Sequence, residues 1–322
     1  MNLPFARPLR GIIVPVVTPL LESGDLDVEG LQRVIARLLE GSVHGLFLLG
    51  STGEGPSLPP AMREQVITLG CAQAAGRIPV LVGISDTCLA ESLRLARFAC
   101  ECGASGLVLA PPYYLAASQT ELYRYARRVA AEVPLPVFLY NAPSFTKVWF
   151  EPETVRRLAE EPNIAGLKDS GGDRIYLHQV RFLLKDRKDF SFLVGPEELL
   201  ADLLLWGGHG GVSGGAHLWP QLYTGLYQAA VEEDLERVKH LHSLLMYVNT
   251  QIYRISSTPC SVFKAIKCGL SLMGICGDAM APPLEPFTPE ERALLRERMQ
   301  EMQRRLMEEA AWLTAAPARS RN

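Results

Sequence analysis

Ile164-Ala165-Gly166-Leu167-Lys168-Asp169-Ser170-Gly171-Gly172 sets a lysine at the end of a short apolar run and follows it with polar and glycine residues. A run of this length bounded by glycines reads as a buried strand, the kind found in parallel sheets covered by helices. In such a sheet Lys168 stands at the carboxyl end of its strand, where α/β barrels gather their functional groups. Burial disfavours an ammonium, lowers its pKa and frees the amine to attack a carbonyl carbon, giving a Schiff base. The competing reading is a lysine that merely ends a strand and points into water. This stretch by itself supports both.

Outward from this segment, short β-branched or leucine-rich runs alternate with amphipathic stretches over the first 230 positions, the pattern of repeated βα units. The strands are expected at Gly11 to Val17, Gly45 to Leu49, Val80 to Gly83, Gly106 to Leu109, Val137 to Tyr140, Ile164 to Lys168, Phe190 to Val194 and Gly210 to Ser213. Helices are expected between them, including Glu197 to Trp206 and Trp219 to Ala230. Eight such units predict an α/β fold, a TIM (β/α)8 barrel, ahead of a doubly wound open sheet, which usually has fewer strands. From Leu235 the strand signal ends and helices are expected at Leu235 to Ile252, Cys260 to Leu270 and Pro289 to Leu313. The expected organisation is a barrel over residues 1–234 and a C-terminal helical appendage over 235–322, with Thr314 to Asn322 as a frayed end.

With 322 residues, 48% hydrophobic and 21% charged, the chain has the composition of a soluble globular protein with a large core. A net charge of −3 provides no electrostatic footprint for nucleic acid or an anionic membrane, so a small-molecule partner is expected. No run approaches the roughly 18 apolar residues of a membrane span. The seven cysteines contain no C-x-x-C pair and the six histidines no metal spacing, so neither a disulfide framework nor a metal site is expected. The amino terminus lacks the apolar stretch of a signal peptide, leaving a reducing cytoplasm as the expected location.

Residues just after the strands would line the barrel mouth. Gly50-Ser51-Thr52-Gly53-Glu54-Gly55 offers two hydroxyls and several backbone N–H groups in a turn suited to a carboxylate, or a plain structural loop. Tyr114 follows the fourth strand and Tyr140 ends the fifth; each could carry a proton, or simply cap the core with its ring. The glycines of Gly207-Gly208-His209-Gly210-Gly211 and Ser213-Gly214-Gly215 fit a close backbone approach to a ligand or tight packing equally well. A serine-hydrolase reading fails for want of a proper Gly-x-Ser-x-Gly elbow.

Taken in order, Gly50-Ser51-Thr52-Gly53-Glu54, Pro112-Tyr113-Tyr114, Tyr140-Asn141-Ala142-Pro143 and Gly166-Leu167-Lys168-Asp169-Ser170 resemble the dihydrodipicolinate synthase and N-acetylneuraminate lyase family of class I aldolases. The helix from Cys260 followed by Pro282-Pro283 is similar to that family's carboxyl-terminal region. The resemblance implies that Lys168 forms the Schiff base with pyruvate or another 2-oxo acid, with no metal or cofactor. It implies that Ser51 and Thr52 hold the pyruvyl carboxylate, that Tyr140 with Ser51 is the acid and base, and that Val212 faces the pyruvyl group. It further implies that Tyr114 is lent across a dimer interface and that the protein is a homo-oligomer, a dimer of dimers. Gly50, Ser170, Gly195, Glu197, Glu198 and Phe145 complete the expected substrate-binding set.

One departure and two further likenesses bear on the substrate. Where dihydrodipicolinate synthases carry an arginine two residues after the Tyr-Asn-x-Pro proline, this chain has Phe145, which cannot pair with a carboxylate. Gly195-Pro196-Glu197-Glu198 matches the acidic pair of the sialic acid lyases, although Glu197 could instead stabilise a helix amino end. The stretch Lys168 to Asp173 is also similar to sugar-acid and 4-hydroxy-2-oxoglutarate aldolases. Aldol cleavage, condensation or dehydration of a hydroxylated 2-oxo acid is therefore expected ahead of 4-hydroxy-tetrahydrodipicolinate synthesis, and both ahead of a barrel that binds a 2-oxo acid without turnover.

Overall fold

The computed structural model describes residues 5–314; the tail from Ala315, expected as a frayed end, lies outside them. Eight strands, β1 (Gly11–Pro15), β2 (Gly45–Leu48), β3 (Val80–Gly83), β4 (Gly106–Leu109), β5 (Val137–Asn141), β6 (Ile164–Asp169), β7 (Ser191–Val194) and β8 (Gly210–Val212), follow one another around a closed parallel barrel. β8 pairs with β1 to complete it. The alternation of a strand puts Ile13, Phe47, Leu81, Val108, Phe138, Leu193 and Val212 into one inner cluster. Their neighbours Ile12, Val14, Leu46, Leu48, Val80 and Val82 join the outer core beneath the helices. Phe5 adds its ring to the inner cluster 5.9 Å from that of Phe138.

Two glycine readings are decided here. A Cβ on Gly210 would lie 2.0 Å from the carbonyl oxygen of Gly11, and one on Gly215 would lie 2.0 Å from the Tyr223 hydroxyl. Close packing by itself requires glycine at both places.

The helical region after β8 differs from expectation in its turns. The helix Leu235–Tyr247 runs into a π-helical turn, Val248–Ile252, in which the Tyr253 N–H donates to the Val248 carbonyl at 3.0 Å. The last long helix stops at Glu308, and before β8 Glu197–Leu199 is a 3₁₀ turn ahead of the helix Leu200–Leu205. The helix Ser261–Leu272 and the π turn reach the mouth of the barrel, so Asn249, Tyr253, Val262 and Phe263 border the same cavity as Lys168. Among the described residues no helix is long and apolar enough to cross a membrane.

His217 links the segments that follow β1 and β8. It is fully buried, its Nδ1 bonded to the Gly214 carbonyl at 2.7 Å while its Nε2 accepts the Val17 N–H at 3.2 Å. Burial, only partly opposed by the Gly214 bond, pushes its pKa down to about 4. A base depressed in the folded state adds stability that is complete above its unfolded value of about 6.5 and is lost as pH falls through the folded one. Urea unfolding should therefore show a loss on the order of 3 kcal/mol from this group between about pH 6.5 and 4. The loss should shrink in His217→Asn, and a flat profile in the parent would contradict the assignment.

Candidate active site

The register of β5 against β6 builds the centre. Val137 pairs with Ile164 but Phe138 pairs with Gly166, so Ala165 is the extra residue of a bulge, and beyond it Tyr140 lies beside Lys168. Both side chains belong inside the barrel. Lys168 is 6% exposed, and its Nζ lies 3.9 Å from the centre of the Tyr140 ring and 4.9 Å from that of Phe47. Burial lowers the lysine pKa from its ordinary 10.5, against the opposing pull of Tyr140 and Asp169. Burial also raises the Tyr140 phenol, but Lys168 and the hydroxyls of Ser51 and Ser170 outweigh it, and the net shift is below the usual 10. The two shifts run in the directions that a nucleophilic amine and an adjacent proton carrier require.

The Ser51–Thr52 turn is held from two sides. Leu49, buried with φ +58°, carries the chain out of β2 in a left-handed conformation that needs support from its surroundings. The Thr18 hydroxyl donates to the Gly53 carbonyl at 2.7 Å. Glu54 then reaches into the helical region, where its carboxylate lies 2.6 Å from Lys267 Nζ and accepts the Ala281 N–H at 2.7 Å. Lys267 itself donates to the Ala279 carbonyl at 2.7 Å. Ser51 is left facing inward, its Oγ 3.3 Å from the Tyr140 hydroxyl.

A cavity of about 290 Å³ opens over Lys168. Of the expected residues, Ser51, Thr52, Tyr140, Phe145, Lys168, Ser170, Gly195, Glu197, Glu198 and Val212 border it. Gly50 does not; it borders a neighbouring cavity of about 300 Å³ that also meets Ser51, Tyr140 and Phe145. Phe145 is a wall between the two, its ring 6.1 Å from that of Phe263. Tyr114 is 94% exposed with φ +78° and takes no part in the site of its own chain; Tyr113 instead borders the second cavity.

Two of these bordering residues are also engaged by the protein itself. The Glu197 carboxylate accepts the Gly215 N–H at 2.8 Å and the hydroxyls of Tyr223 and Tyr253, the latter at 3.0 and 3.1 Å, so it is bonded to the protein itself. Burial pushes it up to about 7 despite those three donors. Gly195 is glycine because a Cβ there would lie 2.0 Å from Ser170 Oγ. Glu198 keeps its place at the cavity without a hydrogen bond or ion pair to any described side chain. Sequence reasoning missed Lys267, Asn249 and Tyr253. Lys267 had a signal, since a lysine amid Ala265-Ile266 and Cys268-Gly269-Leu270 is as anomalous as Lys168. Among the described residues no three His, Cys, Asp or Glu side chains converge as metal ligands.

The model of the dihydrodipicolinate synthetase family matches residues 8–302. The chain belongs to that family. It is similar to the 4-hydroxy-tetrahydrodipicolinate synthase of Thermus thermophilus, 36% identical over 289 residues that cover 89% of this chain and 94% of that one. Among solved structures it is similar to dihydrodipicolinate synthase from Bacteroides thetaiotaomicron, with 47% identity, a TM-score of 0.89, and coverage of 92% of this chain and 100% of the other. The structure of YagE, a prophage protein of this family from E. coli K12 in complex with pyruvate, has 31% identity, a TM-score of 0.87, and coverage of 92% and 99%. The chain is a lyase, a class I aldolase on a TIM barrel with additional carboxyl-terminal helices.

The Glu54–Lys267 pair yields a direct test of how the turn is held. Lys267 is fully buried, so Glu54→Ala leaves a charge without its partner and should destabilise the protein by about 3–5 kcal/mol. Adding Lys267→Met should recover most of that in urea unfolding. Equal loss in the single and double variants would show that the pair does not act as a unit.

Proposed function

We propose that this aldolase forms a Schiff base between Lys168 and a 2-oxo acid, and that its second substrate is a neutral hydroxylated aldehyde. The carrying observation is the makeup of the cavity over Lys168. Among the described residues no second lysine, arginine or histidine borders it, whereas Ser144, Glu198 and Asn249 do. A distal carboxylate would meet no counter-charge there and would face Glu198, while hydroxyls would find partners.

In the cleavage direction the free Lys168 amine attacks the ketone carbon C2, and loss of water leaves an iminium ion. Tyr140 takes the proton of the C4 hydroxyl as the C3–C4 bond breaks; the electron pair of that bond passes to the iminium nitrogen and an enamine forms. The aldehyde leaves, Tyr140 returns its proton to C3, and water hydrolyses the iminium to free pyruvate and the amine. Ser51, at 3.3 Å from the phenol, serves as a relay. Ser51 and Thr52 hold the pyruvyl carboxylate, which fixes the reacting carbons. In this reading residues 1–234 supply the covalent chemistry and residues 235–322 part of the selectivity. The pyruvate complex of YagE supports the first half of the sequence.

A second reading, 4-hydroxy-tetrahydrodipicolinate synthesis, is favoured by the name of the Thermus thermophilus relative. It requires a partner for the carboxylate of aspartate semialdehyde, and Phe145 offers none.

Pyruvate with borohydride should leave a covalent adduct by intact mass, absent in Lys168→Ala. Tyr140→Phe should keep the adduct and lower turnover about 10²–10⁴-fold. Pyruvate release from hydroxylated 2-oxo acids should exceed condensation with aspartate semialdehyde; the reverse order would establish the second reading.

Homo-oligomerisation as a dimer of dimers is supported by two separate exposed groups. Tyr114 and Leu115 are 94% and 75% exposed at the mouth, and Ile175, Phe182 and Trp206 are 71%, 70% and 62% exposed on the barrel wall. Apolar surface of this kind marks contacts between subunits. Sedimentation should report a tetramer, and Trp206→Glu a dimer that still traps pyruvate; an unchanged tetramer would exclude the wall patch as an interface.

A further inference from the structure

The π turn Val248–Ile252 brings one polar residue without a side-chain partner to the border of the Lys168 cavity. Tyr253, which closes the turn, is anchored through its hydroxyl on Glu197 at 3.0 and 3.1 Å. Four residues earlier, Asn249 borders the same cavity, half-buried, and its amide makes no hydrogen bond with any described residue. From the same carboxyl-terminal region Pro259, Val262 and Phe263 give the cavity an apolar border. Half-exposed to the cavity, this amide is free to pair with a polar group that enters it. π turns interrupt helices mostly where function demands a particular placement, and neither glycine nor proline lies in Val248–Ile252 to account for this one.

We infer that Asn249 determines specificity by reading a hydroxyl on the aldehyde fragment of the substrate. The inference rests on the function proposed above and adds the residue that selects the partner. A carboxamide both donates and accepts, which matches a hydroxyl in either orientation and makes no demand for charge. Glu198, an acceptor at the same cavity, completes a pair suited to a vicinal diol. A site built to bond a hydroxyl discriminates against the analogue lacking it because its own polar groups are left unpaired.

The test compares condensation of pyruvate with glyceraldehyde and with propanal, which lacks both hydroxyls beyond the carbonyl. The parent enzyme should favour glyceraldehyde in kcat/KM. Asn249→Ala and Asn249→Leu should reduce that preference by about ten- to hundredfold, an effect smaller than at a fully enclosed site. Both should trap pyruvate with borohydride at the parent rate, and Asn249→Gln should recover part of the preference. An unchanged preference with normal trapping would overturn the role of Asn249 and leave the proposed function standing. Loss of trapping in the variants would make Asn249 structural and overturn the inference as well. Failure of the parent itself to trap pyruvate would remove the functional reading, and the inference with it.

Discussion

Backbone pairing between β5 and β6 decides where the chemistry is. The bulge at Ala165 sets the register in which Tyr140 and Lys168 are partners, and both then project into the barrel. A shift of one residue would turn Lys168 toward the outer helices and Leu167 inward, since side chains alternate along a strand. Held in register, the two groups modify each other in a dry environment. The phenol's neighbours offset its burial, and burial of the lysine favours the free amine that an imine needs.

The barrel by itself makes only part of the site. Two buried carboxylates join its mouth to the helices beyond β8: Glu54 through Lys267 and the Ala281 N–H, and Glu197 through Tyr253. One stabilises the turn that presents Ser51 and Thr52, and the other anchors the π turn that presents Asn249. The helical region is therefore an integral wall of the cavity.

The positions of the strands could be read from the chain because each is a short apolar run between glycines or polar residues, and a buried parallel strand requires little else. Lys168 was legible for the same reason, as a charge in an apolar context. The internal partners of Glu197 were not legible, because spacing places a side chain near a site without saying which way it turns. Its carboxylate is bonded to Gly215, Tyr223 and Tyr253, the tyrosines 26 and 56 residues away. Gly195 and Gly210 resemble ligand-approach glycines in sequence, yet a Cβ at either place would strike Ser170 or Gly11.

By itself the sequence determined the eightfold βα repeat, the strand-end location of Lys168 and Tyr140, and the absence of an arginine at Phe145, because these depend on local periodicity and residue identity. Tertiary structure alone decided that Lys168 and Tyr140 are neighbours, that Glu197 is bonded within the protein framework, that Glu54 meets Lys267, and that Asn249 borders the cavity. These are contacts between residues up to 213 positions apart along the chain. Such contacts follow from closure of the barrel and the packing of helices over it, which no local pattern encodes.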